Sequence, residues 1–137
     1  MESIKGKERL ESLNNALERF KEVLDIIKNN KDASTYEIYR DSAIKRFEFS
    51  IDLFWKSLKD ILYTKYGIVA ASPKLVAKLS LENKLISENE YNQFNFMVDD
   101  RNKTSHTYDE VCAEDIFTRL FKHYELMQNI ALKMMIT

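Results

Sequence analysis

Glycine and proline are so scarce in this chain that they decide which folds it can adopt. Its 137 residues include two glycines, Gly6 and Gly67, and one proline, Pro73, where average usage would supply about ten glycines and about seven prolines. Because tight turns depend on these residues, the sequence argues against a fold of many short strands. The same scarcity excludes the glycine-rich loops that cradle phosphates in nucleotide-binding folds.

Apolar residues recur every three or four positions along the front half of the chain, which is the spacing of amphipathic helices. The pattern predicts one helix over about residues 5–28, ended by residues 29–32. A second helix is expected to open with a capping box at residues 34–37 and to run to about Tyr66, where Gly67 supplies a left-handed stop. The wide apolar face of this second helix predicts a central position with neighbours on two sides.

The back half of the chain carries further helix signals. Ser72 and Pro73 form an N-cap followed by a proline at the first helical position, which opens a short helix. Residues 87–90 are another capping box, and a last helix is expected over about residues 113–135. Because no internal repeat and no long linker divides the chain, residues 1–137 are predicted to form a single all-α domain. The expected architecture is an antiparallel up-and-down bundle of four or five helices.

Charge and cysteine content remove several classes of function. The 21 basic and 22 acidic residues leave a net charge of −1, so any contact with nucleic acid must be a local site. One cysteine excludes an internal disulfide and a cysteine-built zinc site, and we predict neither a metal site nor a cofactor. No apolar run reaches the roughly 18 residues of a membrane span, and the first residues lack the apolar centre of a signal peptide. A cytoplasmic protein with no membrane partner is therefore expected.

One polar segment, residues 99–110, interrupts the alternation of core and surface residues and holds one of the two histidines. Arg101, Ser105 and Tyr108 continue, in steps of three and four, the apolar stripe of the preceding helix. An arginine on an inward stripe needs acceptors, because a buried unpaired charge is costly. The acceptor could be an internal carboxylate, a partner chain or a bound phosphate.

His106 lies five residues after Arg101, which in a straight helix puts the two side chains about 140° apart. They can share one site only if the helix ends near Ser105 or if a second chain brings the pair together. Such a pair suits RNA cleavage by a 2′-hydroxyl, because imidazole transfers protons near neutral pH and an arginine stabilises the phosphate charge that grows in the transition state. On spacing alone, Arg101 could instead cap a helix or pair with Asp99, and His106 could be solvated.

The same residues resemble a known motif. Arg101, His106 and Tyr108 have the spacing R-x4-H-x-Y, with Asn102 directly after the arginine. This spacing is similar to that of HEPN proteins paired with a minimal nucleotidyltransferase. Residues 46–60 (RFEFSIDLFWKSLKD) also resemble the second helix of the HEPN subgroup named nucleotidyltransferase substrate-binding proteins. The resemblance covers nearly the whole chain.

The resemblance implies a HEPN-like bundle that forms a homodimer, with the motifs of two subunits meeting across the seam. Arg101 and His106 would then be the catalytic pair of a metal-independent endoribonuclease toxin. Tyr108 would be the hydroxyl that a separate minimal nucleotidyltransferase adenylylates to silence the toxin. Four further polar residues are expected to support the site, the aspartates by orienting the arginine or by gating access: Asp99, Asp100, Asn102 and Ser105.

A second interpretation keeps the family and changes the activity. The chain would be a non-catalytic subunit that binds the substrate of a two-component nucleotidyltransferase. Arg101 and His106 would contact a ligand, and Glu48 or Lys56 would line the same cleft. The intact arginine–histidine pair favours the ribonuclease, because binding alone needs no proton-transfer residue, whereas the near-neutral charge favours the binding subunit. A structural dimeric adapter is the remaining alternative.

Overall fold

The computed structural model describes residues 4–30 and 32–137, in which helices dominate and no strand occurs. The helices are α1 (Ile4–Asn29), α2 (Ala33–Tyr66), α3 (Pro73–Glu82), α4 (Glu88–Lys103), α5 (Glu110–Phe117) and α6 (Leu120–Met135), with a 3₁₀ turn at Thr104–His106. Residues 1–3, where no signal peptide is expected, and residue 31, in the predicted end of the first helix, lie outside the described part. The all-α bundle is confirmed, and no described helix is both long and apolar enough to cross a membrane.

The longest helix, α2, lies at the centre and packs against α1, α3, α4, α5 and α6. Its apolar stripe includes Phe47, Ile51, Phe54 and Leu58, each of which is at most 1% exposed. The Phe54 ring lies 5.1 Å from the ring of Phe94 in α4, measured between centroids. The central position that the wide apolar face predicts is therefore confirmed.

Local sequence signals set several helix ends at the expected residues. Gly67 follows α2 with a left-handed backbone, φ 68°, which glycine adopts without steric cost. Ser72 caps α3, and Pro73 is its first residue. At the start of α4, the Ser87 hydroxyl accepts from the N–H of Glu90, and the Glu90 carboxylate accepts from the N–H of Ser87. The capping box predicted there is confirmed.

The predicted start of α2 is wrong by two residues. Asp32 is the N-cap, because its carboxylate accepts from both the backbone N–H and the hydroxyl of Ser34. The helix consequently begins at Ala33, and Ser34 lies inside it instead of capping it. An aspartate and a serine are similarly good caps, so the sequence alone does not decide between them.

The predicted last helix is also wrong, because it starts earlier and is divided into α5 and α6. The break lies at Thr118 and Arg119, where the Thr118 hydroxyl donates to the carbonyl of Asp115. Ile116 and Leu120, four residues apart on either side, are both fully buried. The apolar stripe thus runs through the break, so its spacing could not reveal a sixth helix.

Phe54→Ala is expected to lower the free energy of unfolding by about 3–5 kcal/mol, because it removes a fully buried ring and leaves a cavity beside Phe94. Urea denaturation followed by circular dichroism measures the change. Phe121→Ala, at a ring that is 44% exposed, is the matched control and should cost less than about 1 kcal/mol. Equal losses in the two variants would contradict the central packing of α2.

Candidate functional site

The side chain of Arg101 reaches from α4 across to α2. Its Nε and Nη2 lie 3.3 and 3.2 Å from the two carboxylate oxygens of Asp52, and its Nη1 lies 3.4 Å from Oε2 of Glu48. Nη1 also donates to the hydroxyl of Thr104 at 2.9 Å. Of the acceptors that the sequence left open, the structure supplies internal carboxylates. The hydrogen bond to Asp52 outweighs the opposing effect of burial and raises the pKa of Arg101, so its guanidinium stays charged.

The two aspartates that precede Arg101 turn to other partners. Asp99 pairs with Lys74 of α3 at 2.7 Å. Asp100 is fully buried on the side of α4 that faces α6. The expectation that these two carboxylates orient Arg101 is therefore wrong. Neighbouring residues of a helix point about 100° apart, and the orienting carboxylate comes from Asp52 on α2 instead.

Asp100 is the centre of a buried ionic cluster between α4 and α6 that the spacing did not predict. Its carboxylate accepts two hydrogen bonds from Arg119, both at 2.8 Å, and lies 2.6 Å from Nε2 of His123. Burial would raise the pKa of Asp100, but these two neighbours outweigh it and lower the pKa to about 2. Because an ionised carboxylate only accepts hydrogen bonds, Nε2 of His123 carries the proton. The cluster ties α4 to α6.

The remaining motif residues lie at the surface, with Asn102 in the last turn of α4 and the others beyond the end of that helix. His106 is exposed and Tyr108 is 83% exposed, and their rings meet edge-on with centroids 6.1 Å apart. Asn102 and Ser105 are exposed as well, and the Ser105 hydroxyl donates to the Asn102 carbonyl. The prediction that Ser105 and Tyr108 continue the inward stripe is wrong. The α-helix ends at Lys103, and the tighter 3₁₀ turn changes the direction of the side chains that follow.

Arg101 and His106 of one chain face different surroundings. Three α-helical steps of about 100° and two 3₁₀ steps of about 120° turn them about 180° apart in ideal geometry. Arg101 accordingly contacts α2, whereas the ring of His106 contacts Tyr108, and no hydrogen bond joins the two described side chains. The helix end that could have united the pair exists, at Lys103, but it does not unite them. Within the described chain the two side chains therefore have separate partners and do not form one site.

Of the two α2 residues expected to line a substrate cleft, the structure brings one to Arg101. Glu48 contacts its guanidinium. Lys56 is exposed, and its Nζ lies over the ring of Trp55, 5.9 Å from the centroid. We call the group formed by Arg101, Glu48 and Asp52 the Arg101 cluster. Lys56 makes its contact outside this cluster.

A groove of about 890 Å³ lies between α4 and α6, apart from the Arg101 cluster. The half-exposed ring of Phe96 and the imidazole of His123 line it. Amide and charged side chains complete its walls, among them Asn92, Gln93, Glu125, Asn129 and Lys133. Neither Arg101 nor His106 lines this groove. Within the part of the chain that the structure describes, no group of three or more acidic, histidine or cysteine side chains is arranged to hold a metal ion.

Comparison with known proteins agrees with the helical architecture. Residues 8–135 match the family described as nucleotidyltransferase substrate binding protein like, and this chain belongs to that family. The crystal structure of a protein from Thermus thermophilus is similar, with 38% sequence identity and a TM-score of 0.78. The similarity covers 89% of this chain and 98% of that one. No curated protein matches the chain.

The low pKa of Asp100 predicts a loss of stability in acid. A carboxyl whose pKa is about 4 in the unfolded chain and about 2 in the folded chain contributes its full stabilisation above about pH 4. That contribution, about 2 kcal/mol, is lost as the pH falls to about 2. The free energy of unfolding, measured between about pH 6 and pH 2, should therefore fall more steeply for the wild type than for Asp100→Asn.

The matched control for this measurement is Asp99→Asn, because the Asp99 side chain is 51% exposed and pairs only at the surface with Lys74. It should keep the steep profile of the wild type. Parallel pH profiles for the wild type and Asp100→Asn would show that the buried cluster does not stabilise the fold.

Proposed function

We propose that this chain is a HEPN-type endoribonuclease toxin, active as a homodimer in the cytoplasm and silenced when a separate nucleotidyltransferase adenylylates Tyr108. The family name already implies a nucleotidyltransferase partner. The observation that carries the proposal is the exposed contact between His106 and Tyr108, which lie five and seven residues after an arginine that α2 holds in place. Binding alone does not call for a proton-transferring imidazole beside an exposed phenol.

Cleavage of RNA within its own strand needs a group that moves protons and a cation at the phosphate. The 2′-oxygen attacks the adjacent phosphorus and the bond to the 5′-oxygen breaks, which yields a 2′,3′-cyclic phosphate and a 5′-hydroxyl. One proton leaves the 2′-hydroxyl and one is delivered to the 5′-oxygen, and His106 serves in one of these transfers. Arg101 stabilises the added negative charge. Because Asp52 and Glu48 hold Arg101, it needs little further ordering.

The proposed site takes its two residues from different copies of the chain. Arg101 and His106 of one chain turn about 180° apart, so Arg101 of one copy would act together with His106 of the other. A twofold symmetric dimer would then contain two equivalent sites.

His106→Ala is expected to lower the rate of RNA cleavage by about 100-fold or more, because it removes the proton-transfer group. The assay is gel analysis of a single-stranded RNA incubated with the purified chain in the presence of a chelator. Lys78→Ala, at an exposed lysine of α3, is the control and should cleave at the wild-type rate. Equal cleavage by wild type and His106→Ala, or none by the wild-type dimer, would contradict the ribonuclease.

Adenylylation of Tyr108 would silence this site by bulk and charge. The phenolic oxygen attacks the α-phosphorus of ATP, pyrophosphate leaves, and the phenolic proton passes to a base of the transferase. The new phosphodiester carries one negative charge beside His106, where it repels an RNA phosphate and obstructs the imidazole. With 83% of its side chain exposed, Tyr108 is accessible to another enzyme.

Tyr108→Phe is expected to abolish labelling by the partner transferase with α-labelled ATP and to make co-expressed transferase unable to protect cells from the toxin. Tyr63→Phe is the matched control, since Tyr63 is 62% exposed on α2 and should leave labelling and protection intact. If Tyr108→Phe is labelled as strongly as the wild type, and mass spectrometry locates the label at another residue, Tyr108 is not the acceptor.

The second candidate function is a non-catalytic subunit that binds substrate for the transferase. Two observations favour it: Asp52 and Glu48 already neutralise Arg101, and the α4–α6 groove is large enough for a small molecule. In that case the induced chain alone would leave growth and cellular RNA unchanged. The transferase would then modify its small-molecule substrate only when this chain is present.

A further inference from the structure

The six arginines of the chain fall into two groups. Four of them pair with carboxylates within 4 Å: Arg9, Arg40, Arg101 and Arg119. Among the described residues, no carboxylate lies within that distance of Arg19 or Arg46. Arg46 reaches across to α1, where its Nη1 donates to the backbone carbonyl of Arg19 at 2.7 Å, and the two arginines line the same groove. Two cations that line one groove without a carboxylate partner favour an anion from outside the chain.

The two arginines line one concave surface between α1 and α2, of about 380 Å³, which we call the α1–α2 groove. Lys45 and Phe49 line it as well, and the lysine Nζ lies 5.4 Å from the centroid of the phenyl ring. Phe49 is 56% exposed, so its ring is accessible to a ligand. Side chains with hydroxyl and amide groups that can donate hydrogen bonds also line it: Ser12, Asn15 and Ser42.

We propose that the α1–α2 groove binds the single-stranded RNA on which the ribonuclease site acts. Arg19 and Arg46 would contact backbone phosphates, and a base would stack on the ring of Phe49. Cations along a groove combined with an exposed aromatic ring are the features that bind single-stranded nucleic acid. The inference rests on the proposed function, because that function identifies the ligand as RNA. The residues of the groove are not those of the proposed chemistry.

Helix α2 connects this groove to the Arg101 cluster. Nζ of Lys45 lies 3.8 Å from Oε2 of Glu48, and the same oxygen lies 3.4 Å from Arg101. The groove and the Arg101 cluster are therefore neighbours, with the carboxylate of Glu48 between Lys45 and Arg101. A local site of this kind also agrees with the net charge of −1, which does not attract RNA to the molecule as a whole.

The test measures binding of a fluorescently labelled single-stranded RNA by anisotropy at several salt concentrations. All chains carry His106→Ala, so that cleavage does not disturb the measurement. Arg19→Gln with Arg46→Gln should weaken binding at least tenfold and make the slope of log K against log salt less steep by about 1.4, as expected for two lost phosphate contacts. Phe49→Ala should weaken binding roughly tenfold with little change of slope.

A control of equal charge change is Lys7→Gln with Lys78→Gln, two exposed lysines outside the groove, which should bind RNA as before. Thermal unfolding checks that all variants are folded. Unchanged RNA binding by the arginine variant overturns the inference. The inference is also overturned if the arginine variant binds RNA normally but no longer forms the dimer or binds the transferase. The groove would then be a protein interface.

The groove and the ribonuclease can fail separately. RNA binding that depends on Arg19 and Arg46, in a chain whose wild type cleaves no RNA, would support the groove and refute the proposed function. If the wild type cleaves RNA and the variant with both Arg19→Gln and Arg46→Gln cleaves it with the same KM, the function is supported and the groove is refuted.

Discussion

Helix α2 is the element on which the rest of the molecule depends, because every other helix packs against it. Its buried stripe, with Phe47 and Phe54 fully enclosed, forms the centre of the core. Its more polar side carries Glu48 and Asp52, which hold Arg101. The same helix thus supports both the core and the candidate site. A change in its position would displace the site together with the core, which links the stability of the bundle to any function of the Arg101 cluster.

Two adjacent residues of α4, Asp100 and Arg101, fix the geometry of the Arg101 cluster on the side opposite α2. Asp100 points into the bundle and binds Arg119 and His123, and this buried ionic contact ties α4 to α6. Because the next residue points about 100° away, Arg101 is directed toward α2. The helix then ends, and His106 lies outside the bundle. Arg101 and His106 thus lie in different surroundings within one chain, which is why the proposed function takes the two residues from different copies.

The sequence predicts the helices well because apolar spacing and capping residues are local signals. It predicts the site less completely. The pairing of Arg101 with Asp52 joins positions 49 residues apart and depends on how α4 packs on α2, which no local pattern contains. Asp100 did leave a signal, since it follows buried Met97 by three positions on the inner face of α4. The spacing of the stripe places Tyr108 on the wrong face, because α4 ends at residue 103 and the 3₁₀ turn changes the direction of the side chains that follow.

The claim that one site is built from two copies is tested most directly by combining two inactive chains. Arg101→Ala and His106→Ala are co-expressed with different tags, and mixed dimers are isolated by successive purification on both tags. If Arg101 of one copy acts with His106 of the other, each mixed dimer keeps one intact site of two and should cleave RNA at about half the wild-type rate. Mixed dimers as inactive as either variant alone would contradict the shared site.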